Sequence, residues 1–366
     1  MSNQKAHKKI VVKLIQKLLT AADIPFEPPG KFKRVLIIRQ HNQFGDMLAS
    51  VSLFRAVKET YPNVSLTVIA SPENYFAIEN NDLVDDLVVF DKRKLKSPIY
   101  IANFWKTLRR GYDLVIVPAT VAISSTSCIL AALSRSIIKV GPLSLGDADN
   151  PLAPVFNFKI KLEWKKFPDA HVSEFILDIV RPFGITTKNY SSSVNIEKSD
   201  QEMAEKFIGN LREGNLIVGV HIGAGKPQNR WDLENFVELI KILQQKYGAS
   251  FYFTGSSADR EQLLYMKNIF GESTGYLINK TISRLAAVIS MTDIFITNDT
   301  GVMHVAGAID VPQISLFGPT NPFNWAPIGK NKFFIRKSEF INDIAVKDVV
   351  DLVEVIQTSR GDSKIN

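Results

Sequence analysis

Loops that combine glycine with charged side chains are the parts of this sequence that could do chemistry. The first is Phe44-Gly45-Asp46, which follows a short apolar run and opens a helical pattern. A carboxylate there suits a general base that takes a proton from a hydroxyl group. Helix amides would keep it ionised but make it a weak base, which suffices when the hydroxyl has already begun to bond carbon. Because Asp is also a preferred helix N-cap, a purely structural role for Asp46 stays open.

The second loop, residues 221–231, reads HIGAGKPQNRW and joins a strand end to a helix. Backbone amides exposed around Gly223 and Gly225, together with the cations Lys226 and Arg230, would suit a diphosphate. A glycine pair with this spacing is common, so an ordinary turn is the alternative.

The third loop, residues 297–304, reads TNDTGVMH and opens another helix. Free amides at Thr300 and Gly301 favour phosphate, and Asp299 could bond sugar hydroxyls. His304 falls one turn beyond Thr300 on the same helix face, and a capped helix with a core histidine is the alternative. A fourth loop, LFGPT at residues 316–320, places Gly318 where a rigid turn could close over a base or ribose.

Metal chemistry has little support in the sequence. Asp147-Ala-Asp149 has the DxD spacing by which many sugar transferases hold a divalent cation, but its turn-forming neighbours favour a solvated loop. No zinc-ligand spacing occurs among the five histidines and the single cysteine, so we expect no metal and no other cofactor. Cys128 cannot form an internal disulfide, and nothing requires an oxidising compartment. His171 is predicted to start a helix and is given no catalytic role.

The elements that must position these loops alternate between strand and helix. This pattern predicts parallel sheets, and it starts twice, at residues 34–38 and 216–222. The chain has 366 residues, so two doubly wound domains are expected: 1–184, and 185–345 after a polar connector. Residues 346–366 form a last helix that is a candidate for returning to the first domain. The other predicted strands lie at 64–69, 87–90, 113–117, 137–140, 250–254, 294–297 and 313–317, and the predicted helices at 46–58, 101–109, 124–133 and 233–247.

The chain is basic, with a formal charge of +7 and a pI near 9.2, which favours anionic partners such as nucleotides, acidic lipid surfaces or nucleic acid. Residues 8–20 predict a basic amphipathic helix that either docks on its own domain or attaches peripherally to an anionic membrane. Lysines interrupt its apolar run, so we expect no secretory signal and a cytoplasmic protein.

Taken together and in order, these segments resemble glycosyltransferase family 9, the ADP-heptose:lipopolysaccharide heptosyltransferases. The resemblance implies a GT-B fold, in which two Rossmann-like parallel-sheet domains face a cleft, and an inverting reaction without a metal. It implies that Asp46 is the general base. Its most specific segments are Gly45-Asp46, 171–183, 223–231, 298–304 and Gly318-Pro-Thr-Asn-Pro through 326–329. On this basis the expected donor-binding residues are Gly223, Gly225, Lys226, Asn229, Arg230, Asp299, Thr300, Gly301, His304 and Gly318, and the acceptor-side loop has Arg39, His41 and Gly45.

The implied reaction transfers a heptose, or a related sugar, from ADP-heptose to a hydroxyl of a lipopolysaccharide inner-core acceptor. Its partners are the nucleotide sugar and the lipid A-core acceptor, with a peripheral contact to the inner membrane and no nucleic acid. The sequence departs from the family in two places. Family members often read Lys-Arg-Trp where this chain has Asn229-Arg230-Trp231, and the segment from Arg39 to Asp46 is one residue longer than usual.

Two other classes of protein stay open. A nucleotide-sugar epimerase could share the two-domain fold and would convert the donor without any acceptor. A non-catalytic nucleic-acid binder would use the positive charge, although no RNA-binding aromatic motif or clustered basic groove supports it. A transferase of the same family with another donor or acceptor is the third alternative.

Overall fold

The computed structural model describes residues 16–22, 24–25, 31–40, 43–211, 216–271 and 274–362. The chain forms two compact units, Met1–Tyr190 and Ser191–Asn366, so the boundary lies a few residues beyond the predicted one. Most of the basic helix predicted at 8–20 lies outside the described residues. At its end, the side-chain amide of Gln16 donates to the carbonyl of Pro151 at 2.6 Å, and Leu19 packs against the core of the first unit.

The first unit contains a mostly parallel sheet. Its strands are β1 (Arg34–Arg39), β2 (Ser65–Ala70), β3 (Asp86–Val89), β4 (Tyr112–Ile116), β5 (Ser136–Leu145), β6 (Ala148–Asp149) and β7 (Phe158–Leu162). Their order is β3-β2-β1-β4-β5, with β7 parallel to β5 and the short β6 antiparallel to it. The four apolar residues of β1 are fully buried, as expected for a strand covered on both faces. The sequence did not predict β7, because lysines alternate with its apolar residues.

The helix predicted at 46–58 is two helices, Phe44–Ala49 and Val51–Thr60. Ser50 separates them, and its hydroxyl donates to the carbonyl of Asp46 at 2.8 Å. Such a bond to the carbonyl four residues back bends a helix, which explains the break. The other helices of this unit are Pro98–Leu108, Ser125–Leu133 and Val172–Phe175.

The second unit contains a fully parallel sheet. Its strands are β8 (Leu216–His221), β9 (Ala249–Gly255), β10 (Gly275–Ile278), β11 (Ile294–Asn298), β12 (Gln313–Leu316) and β13 (Lys332–Ile335), in the order β10-β9-β8-β11-β12-β13. The sequence missed β10 and β13 because these edge strands are largely half-exposed and their apolar runs have only three residues, fewer than the four to eight typical of a buried strand. The predicted α/β class with parallel sheets is confirmed.

Helix Leu233–Tyr247 begins after Asp232 and ends at Gly248, as predicted. Gly248 has the left-handed backbone (φ 58°) that favours glycine at a helix end. The other helices of this unit are Lys198–Leu211, Arg260–Phe270, Ile282–Ser290, Gly301–Gly307, Pro322–Trp325 and Val346–Asp362. Among the described residues, no helix combines the length and the apolar character needed to cross a bilayer.

The last helix, a candidate for returning to the first domain, instead belongs to the second unit. Its residues Val349 and Val353 are fully buried in the core that β8 and helix Leu233–Tyr247 form. Lys246 also pairs with Glu354 at 2.9 Å across the two helices. The buried apolar residues of this helix therefore pack within the second unit, to which the preceding residues of the chain also belong.

Candidate functional site

Both sheets have a topological switch point, and the predicted site loops follow the strands that form it. In each sheet the first strand of the unit lies between the second and the fourth. Connections on either side of such a strand diverge and leave a crevice at the carboxyl ends, where open α/β sheets bind ligands. In the first unit these ends belong to β1 and β4, and in the second unit to β8 and β11.

At the first switch point, three side chains form a buried polar cluster. The guanidinium of Arg39 lies 3.2 Å from the carboxylate of Asp46 and donates to the hydroxyl oxygen of Thr120 at 2.7 Å. The Thr120 hydroxyl in turn donates to the same carboxylate oxygen at 2.7 Å. Arg39 and Asp46 are only 2% and 1% exposed. The aspartate is thus fixed by a cation and a hydroxyl.

The helix N-cap position, one of the two roles that the sequence left open for Asp46, is occupied by another residue. Gln43 is the N-cap of helix Phe44–Ala49, and Asp46 lies inside the first turn, so the carboxylate does not cap the helix. Gly45 precedes it in the same turn. Asp46 is therefore available for a role other than helix capping.

Arg39 and His41 were both predicted to lie in the acceptor-side loop. Arg39 is the last residue of β1 and is buried against Asp46, so it supports the carboxylate and does not present a cation to solvent. Burial lowers the pKa of Arg39 and the nearby Asp46 opposes that shift, but a guanidinium stays protonated in proteins. His41 lies outside the described residues.

Two residues that sequence reasoning missed complete this cluster. Thr120 follows the end of β4, and the indole nitrogen of Trp164 donates to its carbonyl at 2.7 Å. Trp164 itself packs against Phe175, with ring centroids 4.3 Å apart. The only sequence signal for Thr120 is its place after a buried strand.

At the second switch point, Asn298 ties the two strand ends together. Its amide donates to the carbonyls of Ile222 and Gly223 at 3.0 and 3.3 Å, and its oxygen accepts from the backbone of Trp231 at 3.2 Å. The 221–231 and 297–304 loops, which the sequence predicted to share a site, are therefore neighbours.

Asp299 lies where these loops meet. The side-chain amide of Asn229 donates to its carboxylate at 2.8 Å, and the hydroxyl of Thr320 bonds it from the fourth loop. Burial raises the pKa of Asp299, while the Thr320 hydrogen bond and the charge of Lys226 oppose the shift. Thr300 caps helix Gly301–Gly307, and its hydroxyl oxygen accepts from the amide of Val302 at 3.3 Å.

The cations of the second loop differ in exposure. Lys226 is exposed, whereas Arg230 is half-buried and donates from Nε to the carbonyl of Ala224 at 2.9 Å. Asn229, which stands where the family often has lysine, is buried and supports Asp299. The loop thus carries two cations. Asn229 in place of the family's frequent lysine removes one positive charge and adds a hydrogen bond to Asp299.

The predicted glycines serve two purposes. A Cβ on Gly223 would lie 2.2 Å from the carboxylate of Asp259, and one on Gly318 would lie 2.9 Å from the backbone nitrogen of Ile341, so both are required by packing. Gly225 has open space around it, which leaves room for a ligand.

Two histidines flank this region. His304 is half-buried, with its ring centroid 6.3 Å from that of Trp325. His221, at the end of β8, is buried, and its Nδ1 lies 2.9 Å from the hydroxyl of Thr254. Burial lowers the pKa of His221 to about 4 despite the nearby Asp259, so this ring is neutral at pH 7.

The DxD segment, residues 147–149, lies in a short β-hairpin. Ala148–Asp149 pairs antiparallel with the end of β5 through a turn at Gly146. In the part of the chain that the structure describes, no group of three His, Cys, Asp or Glu side chains could hold a metal ion. His171 caps helix Val172–Phe175, as predicted, by accepting from the amide of Ser173.

Comparison with known proteins connects this geometry to a family. Lipopolysaccharide heptosyltransferase 3 of Escherichia coli is 22% identical over 303 residues, covering 78% of this chain and 84% of that protein. The crystal structure of the glycosyl transferase family 9 from Veillonella parvula has a TM-score of 0.74 at 19% identity, covering 92% of this chain and 100% of that one. E. coli ADP-heptose LPS heptosyltransferase II has a TM-score of 0.72 at 19% identity, covering 90% and 99%.

These similarities confirm the predicted GT-B fold class. The family model described as glycosyltransferase family 9 (heptosyltransferase) matches residues 101–348, which is more than half of the chain. That range includes the second-unit loops and the Thr120 and Trp164 positions. The chain therefore belongs to glycosyltransferase family 9, the heptosyltransferases, and is a glycosyltransferase.

Proposed function

We propose that this protein transfers a heptose from ADP-heptose to a hydroxyl of a lipopolysaccharide inner-core acceptor, with inversion at the anomeric carbon and without a metal ion. Its similarity to a lipopolysaccharide heptosyltransferase and to an ADP-heptose LPS heptosyltransferase supports the sugar, the nucleotide and the acceptor class. The observation that carries the proposal is that the 221–231 and 297–304 loops adjoin at one switch point, where Asn229 bonds Asp299 and the charge of Lys226 acts on the same carboxylate. A carboxylate and a cation at the carboxyl ends of parallel strands suit the sugar and the diphosphate of one nucleotide sugar.

In this proposal the second unit binds the donor. Arg230 and Lys226 compensate the charge of the diphosphate, and the positive end of the dipole of helix Gly301–Gly307 adds to this compensation. Asp299 accepts hydrogen bonds from sugar hydroxyls, since Asn229 and Thr320 fix its orientation. Gly225 leaves space for a close approach of the donor.

Asp46 acts as the general base. The acceptor oxygen forms a bond to the anomeric carbon, the bond from that carbon to the diphosphate oxygen breaks, and ADP leaves with the electron pair. Asp46 takes the hydroxyl proton late, when the oxygen has become acidic, so a carboxylate paired with Arg39 is basic enough. The leaving diphosphate is already a weak base and needs no general acid, in contrast to the leaving group of a glycosidase.

The acceptor class and the amino-acid composition together suggest a location. A lipid A-core acceptor is anchored in a membrane, and the single cysteine is typical of a reducing compartment. We propose that the protein works in the cytoplasm, at the cytoplasmic face of the inner membrane, and binds no nucleic acid.

Replacing Asp46 with asparagine tests the role of the base. We expect Asp46→Asn to lower kcat by at least about a hundredfold, the low end for loss of a general base, with the Kd for ADP nearly unchanged. The substitution keeps the side-chain volume, and a thermal unfolding curve checks that the fold survives. A folded Asp46→Asn protein with near wild-type kcat would refute the role.

A substrate panel tests the reaction itself. The purified protein is assayed with ADP-heptose, UDP-glucose and other nucleotide sugars, with and without a lipid A-core acceptor, and with and without EDTA. We expect transfer only with ADP-heptose plus acceptor, a single product of inverted anomeric configuration, and no effect of EDTA. Conversion of the donor without acceptor would indicate an epimerase, and another preferred sugar would correct the donor assignment.

A further inference from the structure

Helix Pro98–Leu108 carries apolar side chains on the face that it turns to solvent. Its inner face packs in the first unit through Phe104 and Leu108. On the outer face, Ile99 is 75% exposed, Trp105 46% and Ile101 45%. A surface helix normally carries polar residues on that side. Because the inner face is fixed in the core, these apolar groups stay exposed.

Basic residues surround these apolar groups. The segment from 92 to 110 contains seven Lys or Arg residues and no Asp or Glu; they are Lys92, Arg93, Lys94, Lys96, Lys106, Arg109 and Arg110. Arg93 pairs with Asp91, and Arg110 with Asp86. Within the described ranges, no ion pair involves Lys92, Lys96 or Lys106. We call the exposed side chains of Lys92–Lys96, Ile99, Ile101, Trp105, Lys106 and Arg109 the 92–110 surface.

The exposed apolar residues of helix Pro98–Leu108 lie on the same side of the helix as Lys106 and Arg109. Ile101, Trp105 and Arg109 follow at intervals of four along one stripe, and Ile99, Ala102 and Lys106 form the next. Arg109 also lies over the Trp105 ring at 5.7 Å. Tryptophan prefers the boundary between lipid and water, and lysine side chains reach from apolar surface to a charged headgroup.

We propose that the 92–110 surface docks the protein on an anionic lipid bilayer, with Ile99, Ile101 and Trp105 entering the boundary between headgroups and acyl chains. Charge complementarity identifies the occupant, since Lys92, Lys96 and Lys106, for which the described residues show no ion pair, lie beside exposed apolar groups and match anionic headgroups above acyl chains. None of the residues of this surface belongs to the Asp46 cluster or to the Asp299 loops. The proposal goes beyond the transfer reaction and does not depend on it.

Sedimentation with lipid vesicles tests the docking. The full-length protein is mixed, without donor or acceptor, with phosphatidylcholine vesicles that contain either no phosphatidylglycerol or about 30% of it, at about 0.1 M NaCl. We expect at least about tenfold stronger binding to the anionic vesicles, weakened by added salt. Equal binding to both vesicle types, or none to either, would overturn the proposal.

Matched variants assign the binding to this surface. We expect Ile99→Ser with Trp105→Ser, and separately Lys92, Lys94 and Lys96→Gln, each to weaken binding at least about tenfold. Controls alter similarly exposed residues of the second unit: Leu264→Ser with Phe340→Ser, and Lys241, Lys280 and Lys330→Gln. Vesicle binding that falls equally in the test variants and the control variants would contradict the assignment to the 92–110 surface.

A fluorescent label reports which residues touch lipid. Ala102→Cys on the outer face is labelled with an environment-sensitive thiol dye, and Lys241→Cys is the control site. Cys128 does not compete, because it is buried and burial raises its pKa to about 12. We expect a blue shift on anionic vesicles only for the label at 102. The protein could instead bind vesicles without that shift and lose this binding when Lys8, Lys9 and Lys13 are replaced with Gln. This result would assign docking to the N-terminal segment and overturn the proposal.

Self-association is the remaining outcome. If the 92–110 surface instead binds a second copy of the chain, sedimentation velocity without lipid will show a dimer that Ile99→Ser with Trp105→Ser dissociates. A dimer of this kind together with absent vesicle binding would replace the membrane assignment.

Discussion

At the scale of single residues, the protein buries its candidate base with a cation and a hydroxyl. A buried carboxylate without a partner is costly, and Arg39 and Thr120 offset that cost for Asp46. The same contacts fix the direction of the carboxylate.

Thr120 is a positioning residue in this arrangement, and Thr120→Val tests it. Valine has nearly the same shape but loses the hydroxyl that donates to Asp46 and accepts from Arg39. We expect kcat to fall about tenfold, equivalent to about 1.4 kcal/mol, because both of these hydrogen bonds are lost, while the KM for the donor stays unchanged. Steady-state kinetics of both substrates measures this split.

Thr120→Ser is the control, since it keeps the hydroxyl and should recover most of the lost kcat. If Thr120→Val keeps the wild-type kcat, the hydroxyl does not position Asp46. If serine lowers kcat as much as valine does, the methyl group that serine lacks contributes as well. A purely structural role would instead lower the melting temperature of both variants without changing kcat of the folded fraction.

At the scale of elements, the short helix Gly301–Gly307 is held from its carboxyl end. The ammonium of Lys332, at the start of β13, donates to the carbonyls of Ala306 and Val311 at 2.9 and 2.7 Å, and to that of Ile309. These groups lie at and just beyond the last turn, where carbonyls lack partners within the helix. The edge strand β13 thereby fixes the carboxyl end of helix Gly301–Gly307, whose amino end lies at the proposed donor site.

Lys332→Met tests this support. Methionine keeps the apolar stem but leaves these carbonyls without their shared donor, so we expect the free energy of unfolding to fall by about 1–3 kcal/mol. We also expect weaker ADP binding, because the start of the helix loses its fixed position. Chemical denaturation and calorimetric titration with ADP measure the two effects.

Lys330→Met removes a lysine that is exposed and two residues away, and serves as the matched control. It should leave both quantities within experimental error of the wild type. If Lys332→Met unfolds at the same denaturant concentration as this control, the capping role is wrong.

At the scale of the whole molecule, each unit repeats one topology around its own core. Both cores contain buried strands from the middle of a sheet, and the second unit closes its core with the helix Val346–Asp362. The indole of Trp231, in the second loop, also donates to the carbonyl of Ile344 at 2.9 Å. The end of the chain therefore stabilises a loop of the proposed donor site.

We expect residues 191–366, expressed alone, to fold and to bind ADP with a Kd within about tenfold of that of the full chain, a difference of about 1.4 kcal/mol. Circular dichroism during thermal unfolding and calorimetric titration measure this. A shorter piece that ends at residue 345 is the control and should not unfold cooperatively, because it lacks Val349 and Val353 of the core. Cooperative folding without any ADP binding would show that the second unit alone does not form the donor site.

The amino-acid sequence by itself determined the class of fold and the loops that matter. Apolar periodicity reports which residues are buried, so the strands at the centres of both sheets, the helix ending at Gly248 and the helix that opens in the 297–304 loop followed from local pattern. The edge strands β10 and β13 escaped because their apolar runs have only three residues, and β7 escaped because lysines interrupt its apolar residues. The break at Ser50 escaped because it depends on a single hydroxyl bond.

Only the tertiary structure decided which distant side chains meet. The hydroxyl of Thr120 bonds Asp46 across 74 positions of the chain, and Asn229 bonds Asp299 across 70. Such pairs depend on strand order, which sets the carboxyl ends of β1 beside β4 and of β8 beside β11. The burial of Arg39, the three carbonyls bonded by Lys332 and the docking of the last helix on the second unit have the same origin. They arise from packing between elements, for which a local sequence pattern carries no signal.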